Sequence, residues 1–488
     1  MNILIDTNIV IPLEPGTAED VEAMSGTAAD LVATVAAGGH RLFLLRASLE
    51  ELASDHDEAR REMRAVHARK YALLEPSPPI PAEFGARIGR PARGSHDWVD
   101  HLLLAAVWTH AVAFLVTEDE RIHRNAALLG ISDRVLTVED ALTFLQSLQG
   151  KTVATPPFVQ QIVAYELDEA DPIFDSIRED YGEEFDPWLV KCKENHRPAF
   201  VIGGVNGLAA VSILKPEDDE LHLGGKTMKV CTFKVSTDRQ GRRYGELLLK
   251  TIFLHAAANK YEYAFVTVFE RHGTLITLLE AFGFMPRARR GDAYEELVYV
   301  KEFAFSEADR AALDNLEFHV RFGPPALKIE PDRVFIVPIQ PRFHRLLFPE
   351  TEPQPPLFPE PFGNAIRKAY LSNSVIRKLK PGDCLLFYKS QEAQGVSCVG
   401  VVEDVLVSAD PAEVAAVVGQ RTVYSLKEIA NMCVAGEVLA IMFRQDRVLT
   451  EPIGQEELVC NRVMTRAPQS IASVRPEVTE WLAARVGA

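Results

Sequence analysis

The stretch Met228-Lys-Val-Cys-Thr-Phe-Lys-Val235, followed by Ser236-Thr-Asp-Arg-Gln-Gly-Arg-Arg-Tyr-Gly245, decides how the middle of the chain is read. Apolar and polar residues alternate from Met228 to Val235, the pattern of a strand, and the run from Glu246 to Ala257 has helical spacing. A glycine-bearing loop between strand and helix points backbone N–H groups at an anion, and the helix N-terminus adds its dipole. Upstream, Ala199-Phe-Val-Ile-Gly-Gly and Leu208-Ala-Ala-Val-Ser-Ile-Leu214 are spaced as a hairpin. Downstream come a strand from Tyr263 to Phe269, a helix from Leu275 to Ala281 ending in Phe282-Gly283-Phe284, and a final strand from Glu295 to Val300.

Toward the N-terminus, Ile3-Leu4-Ile5 is a short buried strand with Asp6 at its C-terminal end, followed by Thr7-Asn8. A helical run from Thr27 to Ala37, a strand from Leu42 to Leu45 and a helix opening near Ser48 follow, the last carrying Glu50 and Glu51. Asp97 and Asp100 begin a helix, and the strand Ala113 to Val116 ends in Thr117-Glu118-Asp119. Asp6 and Asp119 thus follow apolar strands, where open α/β sheets place their chemistry. Glu51 and Asp100 are expected in first helical turns. Four acids converging at strand ends repel one another unless a cation neutralises them. Hard divalent ions take carboxylate oxygens and keep waters, one of which can attack a phosphodiester. Each acid alone has a plainer use, as an N-cap, first-turn or turn residue.

Toward the C-terminus, Arg333 to Ile339 alternates as a strand and leads through Gln340-Pro-Arg-Phe-His-Arg345 into the Pro-rich stretch Phe348 to Phe362. The segment Ala365 to Leu379 has a helix-like basic face with Arg367, Lys368, Arg377 and Lys378, and Lys380 follows. Pro381-Gly-Asp383 then opens two strands, Cys384 to Tyr388 and Ser397 to Val405. The basic cluster, with Tyr370 and Phe343 nearby and Arg342, His344 and Arg345 joining it, suits phosphate contacts and base stacking. A solvated edge is its alternative use.

The chain has 488 residues, which at about 150 per domain suggests three domains. The breaks fall at Gly150-Lys-Thr-Val-Ala-Thr-Pro-Pro157 and before Gly323-Pro-Pro325, giving units at 1–150, 157–305 and 325–488. A net charge of −17 excludes a polycation that coats nucleic acid, leaving only local basic patches such as Arg60, Arg61, Arg64, Arg69 and Lys70. Six cysteines without a CxxC pair read as reduced thiols in cores. The N-terminus lacks the basic region of a signal peptide, and no apolar run reaches the roughly 18 residues of a membrane span. A cytoplasmic protein with no membrane partner is expected.

Ile-Asp-Thr-Asn at the start, Glu51-Leu52, Asp100-His-Leu-Leu-Leu-Ala-Ala106 and Leu115-Val-Thr-Glu-Asp119 resemble the PIN-domain ribonucleases over residues 1 to about 145. That resemblance implies Asp6, Glu51, Asp100 and Asp119 as catalytic residues holding Mg²⁺ or Mn²⁺, with Thr7 or Asn8 and Thr117 as polar helpers. Glu51 is preferred over Glu50 because the family's acid precedes a leucine. Residues 160–303 resemble the GNAT acetyltransferases. Here the resemblance implies that Gln240, Gly241, Arg242, Arg243, Tyr244 and Gly245 cradle the pyrophosphate of acetyl-CoA. It implies too that the edge of Phe233, Lys234 and Val235 hydrogen-bonds the pantetheine arm. Arg243 stands where the family usually has glycine, and Leu279 where it often has a tyrosine general acid, leaving Glu270, His272 and Tyr294 as titratable candidates. Residues 330–470 resemble the PUA-like barrels, the ASCH type among them, which often bind RNA, although the GxKxxExR sequence of many ASCH proteins is missing.

The expected architecture is therefore multidomain α/β and α+β: a parallel sheet with helices, a mixed sheet and a small β-barrel. Two functions fit. One is an RNA-directed enzyme that joins a metal-dependent endoribonuclease to an N-acetyltransferase, acting on RNA such as tRNA in the manner of a toxin. An antitoxin-like partner and a homodimer would accompany it. The other is a protein N-acetyltransferase whose flanking units are binding modules.

Overall fold

A computed structural model describes residues 1–13, 25–52, 71–149, 159–204, 207–216, 220–236, 243–290, 296–351, 365–391 and 394–487. The chain forms two compact units. The first holds Met1–Val153, Ser408–Gln420 and Tyr424–Glu437; the second holds Ala154–Val407, Arg421–Val423 and Val438–Ala488. Among the described residues, no helix is long and apolar enough to cross a membrane.

The first unit is built on five strands: β1 (Asn2–Ile5), β2 (Arg41–Leu45), β3 (Ala72–Leu74), β4 (Phe114–Val116) and β5 (Val135–Leu136). They run in the order β3-β2-β1-β4-β5 and every pairing is parallel. Ile3, Leu4, Ile5, Leu115 and Val116 are buried, as continuous apolar strands covered on both faces must be. Helices connect them: α1 (Thr7–Leu13), α2 (Ser25–Ala37), α3 (Arg46–Leu52), α4 (His96–Trp108), α5 (Glu120–Leu129) and α6 (Val138–Leu148). Ser95, Asp119 and Thr137 cap α4, α5 and α6 through their side chains, satisfying N–H groups the helices leave unpaired. Two further helices of this unit, Pro411–Val418 and Leu426–Ala435, come from the distant segment after residue 408.

The second unit contains two sheets. One has seven strands, in the order β11-β12-β10-β9-β8-β7-β6. These are β6 (Val159–Val163), β7 (Pro198–Gly203), β8 (Leu208–Lys215), β9 (Thr227–Val235), β10 (Tyr263–Phe269), β11 (Phe284–Arg290) and β12 (Glu296–Glu302). All neighbours are antiparallel except β9 and β10. On one face lie α7 (Asp175–Tyr181) and α8 (Phe185–Glu194), packing Phe185 and Leu189 against Val211 and Ile213. On the other lie α9 (Tyr244–Ala258) and α10 (Gly273–Ala281), packing Leu248, Phe253 and Leu279 against Met228 and Val230.

The other sheet of that unit has six strands: β13 (Val334–Ile339), β14 (Arg367–Ser372), β15 (Cys384–Lys389), β16 (Gly395–Ser408), β17 (Val438–Gly454) and β18 (Ala472–Ser473). Their order is β14-β17-β16-β15-β13-β18, with β13 and β15 parallel. The expected multidomain α/β and α+β architecture is borne out; its three sheets are one parallel and two mixed, the third standing where a small β-barrel was expected. Two local expectations are not. The basic segment after Ala365 is a strand rather than a helix edge, because Arg367–Ser372 ladders antiparallel to Leu439–Arg444 of β17. The cysteines are all free, yet Cys460 is exposed and Cys231 and Cys433 are half-buried, so only Cys192, Cys384 and Cys398 sit in cores.

Candidate functional site

In the first unit the strand order reverses between β1 and β4, and the crevice beyond their C-terminal ends is where such sheets bind ligands. Asp6 and Thr117 stand side by side there. The Asp6 carboxylate accepts the Thr7 backbone N–H at 2.7 Å, the Thr7 hydroxyl at 3.2 Å and the Thr117 hydroxyl at 2.7 Å. Asn8 donates to Thr117 Oγ1 at 3.2 Å, and the Asp119 backbone N–H donates to the same oxygen at 3.1 Å. Asp119 itself caps α5, accepting from the backbone of Arg121 and Ile122.

Asp100 lies in the second turn of α4 and pairs with Arg121 at 2.7 Å; Arg121 also pairs with Asp97. The guanidinium thus supplies the positive charge that these carboxylates need. Glu51 lies in α3, and its side chain and that of Glu50 fall outside the described residues, as do Arg60, Arg61, Arg64, Arg69 and Lys70. Among the described residues, no three His, Cys, Asp or Glu side chains gather in a way that would hold a metal ion. Of the three acids whose side chains are described, Asp6 is engaged by hydroxyls, Asp119 by a helix N-terminus and Asp100 by Arg121.

In the second unit the decisive feature is a break in one ladder. The parallel pairing of β9 and β10 runs from Thr227↔Tyr263 to Val230↔Val266 and stops, although β9 continues to Val235 and β10 to Phe269. The cause sits in β9. Against β8, Val230 faces Leu214 and Thr232 faces Ile213, so Cys231 is an extra residue, a β-bulge. A bulge bends its strand and shifts the side-chain alternation by one. Met228 and Val230 join the core under α9 before it, and Phe233 and Val235 pack there after it. On the opposite face, Lys229, Cys231 and Thr232 line a cavity of about 340 Å³. The MKVCTFKV pattern contained this signal, since its apolar residues change parity between Val230 and Phe233. The expected regular alternation is corrected accordingly.

The same cavity is walled by Tyr181, Phe185 and Trp188 from α7 and α8, and by Thr267 and Glu296 from β10 and β12. Tyr181 donates its hydroxyl to Glu296 at 2.8 Å. Burial, with that carboxylate, pushes its ionisation far above the ordinary tyrosine range, so Tyr181 stays a proton donor. Of the titratable candidates, His272 contacts Asp180 at 3.0 Å and Glu270 pairs with Arg289 at 3.2 Å, while Tyr294 lies outside the described residues.

Along the open edge, Phe233, Lys234 and Val235 are half-buried. Burial lowers the Lys234 pKa, against the opposing effect of Asp180 and Glu179. Gln240, Gly241 and Arg242 fall outside the described residues. Arg243, at φ 57°, turns the chain into α9. Its side chain is engaged within the fold. It donates to Glu246 through Nε at 2.9 Å and to the carbonyl of Arg367 in β14 at 2.8 Å. Glu246 in turn accepts the Arg367 backbone N–H at 2.6 Å. Arg243 thus ties the first turn of α9 to β14. Tyr244 and Gly245 are buried, and a Cβ on Gly245 would meet Leu278 Cδ2 at 2.6 Å, so glycine there permits α9 to pack closely on α10.

This tie continues inward. Arg367 binds Glu403 at 3.1 Å, and Arg421 and Arg444 converge on the same carboxylate. Arg444 also donates to the carbonyl of Ala281 at the end of α10, at 2.9 Å. The basic cluster expected to meet RNA is therefore partly spent. Lys368 is buried against the Leu347 carbonyl, and His344 is buried against Ser397, with burial lowering its pKa to about 3. Tyr370 is buried too, its hydroxyl on the Pro338 carbonyl at 2.8 Å, so it offers no free ring face for stacking.

No protein-family model matches this chain, and neither does any curated protein sequence. Among solved structures it is similar to ASCH from Zymomonas mobilis, at 14% identity and TM-score 0.26, over 31% of this chain and 95% of that one. It is similar to a GNAT family acetyltransferase from Elizabethkingia anophelis with acetyl-CoA bound, at 16% identity and TM-score 0.23, over 30% of this chain and 97% of that one. An N-acetyltransferase from Staphylococcus aureus Mu50 is similar at 14% identity and TM-score 0.26, over 30% of this chain and 99% of that one.

Proposed function

We propose that this chain is an acetyl-CoA-dependent N-acetyltransferase whose site is the notch between β9 and β10. The first unit and the third sheet then serve as flanking modules that engage a partner, RNA being the one their resemblances suggest. Domains at 1–150, 157–305 and 325–488 are part of this proposal. The observation that carries it is the ladder broken after Val230↔Val266, beside a bulge and a cavity and ahead of the turn into α9. An unpaired stretch of strand offers backbone N–H and C=O groups to an extended ligand such as a pantetheine arm. The turn into α9 brings N–H groups and the helix dipole to the pyrophosphate.

In this arrangement the amine occupies the cavity and its nitrogen lone pair forms the bond to the thioester carbon. The C–S bond breaks, and the leaving thiolate takes up the proton the amine gives. Chain groups contribute orientation and hydrogen bonds to the developing oxyanion rather than a covalent step. Titrating acetyl-CoA into the full chain tests this reading: saturable binding in the micromolar range is expected, and its absence overturns it.

A second reading, endoribonuclease action by the first unit, is favoured by one observation, the meeting of Asp6, Thr117 and Asp119 at the switch point of the parallel sheet. Incubation with total RNA, with Mn²⁺ or with EDTA, tests it. The double variant Asp6→Asn with Asp119→Asn should abolish any metal-dependent cleavage and leave acetyl-CoA affinity unchanged. Cleavage that survives the two substitutions refutes this assignment.

A further inference from the structure

Resting on the acetyltransferase reading, we propose that the acceptor is an amine that also carries a carboxylate, with Arg197 as the residue that holds the carboxylate. Arg197 lines the cavity beside the bulge, and its Nη1 donates to Cys192 Sγ at 3.2 Å and to Cys231 Sγ at 3.6 Å. No carboxylate pairs with it among the described residues. Of the other basic groups that line the cavity, Lys215, Lys229 and Arg290, the last two both pair with Glu220. Burial pushes the Cys192 thiol up to about 11, so it is uncharged at neutral pH and leaves the guanidinium charge unanswered.

A half-buried guanidinium without a counter-charge is costly, and a planar fork is the donor geometry best matched to a carboxylate. Cys231 is the bulge residue, so this anchor lies at the strand position where the ladder opens. The remaining walls complete the acceptor. Phe185, Trp188 and Ile177 form an apolar side suited to a hydrocarbon or aromatic body. Glu296, bound to the Tyr181 hydroxyl through Oε1, keeps an oxygen that can accept from the amine. A cavity of about 340 Å³ suits a molecule of amino-acid size, with one face apolar and a few placed polar groups.

The experiment uses the full chain with acetyl-CoA and matched amines: phenylalanine, phenylalaninamide and 2-phenylethylamine, with methionine and methioninamide as a second pair. Release of the CoA thiol and the mass of the acetylated product are followed together. The expected result is a kcat/KM for the free acids about 100-fold above that of the amides, the size of a charge-assisted hydrogen bond lost. In Arg197→Met the ratio of acid to amide should fall to within about threefold of unity, and Arg197→Lys should restore part of it. Equal rates for acid and amide in the wild-type chain, an unchanged ratio in Arg197→Met, or acetylation of no member of either pair would overturn the proposal. Calorimetry with acetyl-CoA separates the two levels. Binding retained without a carboxylate preference removes the acceptor class alone, whereas no binding removes the acetyltransferase reading and this inference with it.

Discussion

Glu403→Ala should lower the melting temperature of the chain by on the order of 5–10 °C, the consequence of roughly 3 kcal/mol lost in a large unit. Glu403 is the one carboxylate on which Arg367, Arg421 and Arg444 converge, and the last two side chains are only 5% and 6% exposed. Removing it leaves buried guanidiniums facing one another, which costs more than the net worth of any single ion pair. The pH dependence follows. Burial opposes ionisation of Glu403, but the three guanidiniums outweigh it and hold its pKa well below the ordinary 4.5. A depressed folded-state pKa means this stabilisation is fully present above the unfolded value, near 4.5, and fades as the pH falls through the folded one. Thermal melts of wild type and variant should therefore converge under strongly acidic conditions. A constant gap down to such pH would contradict this assignment.

Glu246→Ala should weaken acetyl-CoA binding about tenfold, equivalent to about 1.4 kcal/mol. Glu246 accepts from both the Arg243 side chain and the Arg367 backbone, so its loss unties the first turn of α9 from β14. The turn proposed to present its N–H groups to the pyrophosphate then becomes free to sample other conformations before binding. Calorimetry checks this directly. Unchanged affinity would mean the turn holds its geometry without the tie.

Much of the scaffold was legible because burial imposes period. The continuous apolar strands Asn2–Ile5 and Phe114–Val116 lie where their spacing places them. Asp6 and Asp119 were legible as strand-end acids, and the parallel sheet brings their strands together. What pairing pattern alone could not convey was which charges answer each other. Arg121 pairs with Asp97 and Asp100 across 24 and 21 residues, so one of the four acids that suggested a cation, Asp100, is met by a side chain. Arg367 and Lys368 read as an exposed basic face, yet in the ladder with β17 Lys368 is buried and Arg367 is tied to Glu403. Strand β11 was missed because its Arg287, Arg289 and Arg290 break the apolar alternation, as charges on an edge strand do. The bulge at Cys231 left only a parity slip, and its consequence, a notch with a cavity beside it, depends on the neighbouring strand.

Amide hydrogen exchange of the full chain, with and without acetyl-CoA, locates the acetyl-CoA site residue by residue. Acetyl-CoA should slow exchange at Thr232 to Val235 in β9 and at the first turn of α9, and leave the amides around Asp6 and Asp119 unaffected. Protection confined to other segments, or none at saturating acetyl-CoA, would contradict a site between β9 and β10.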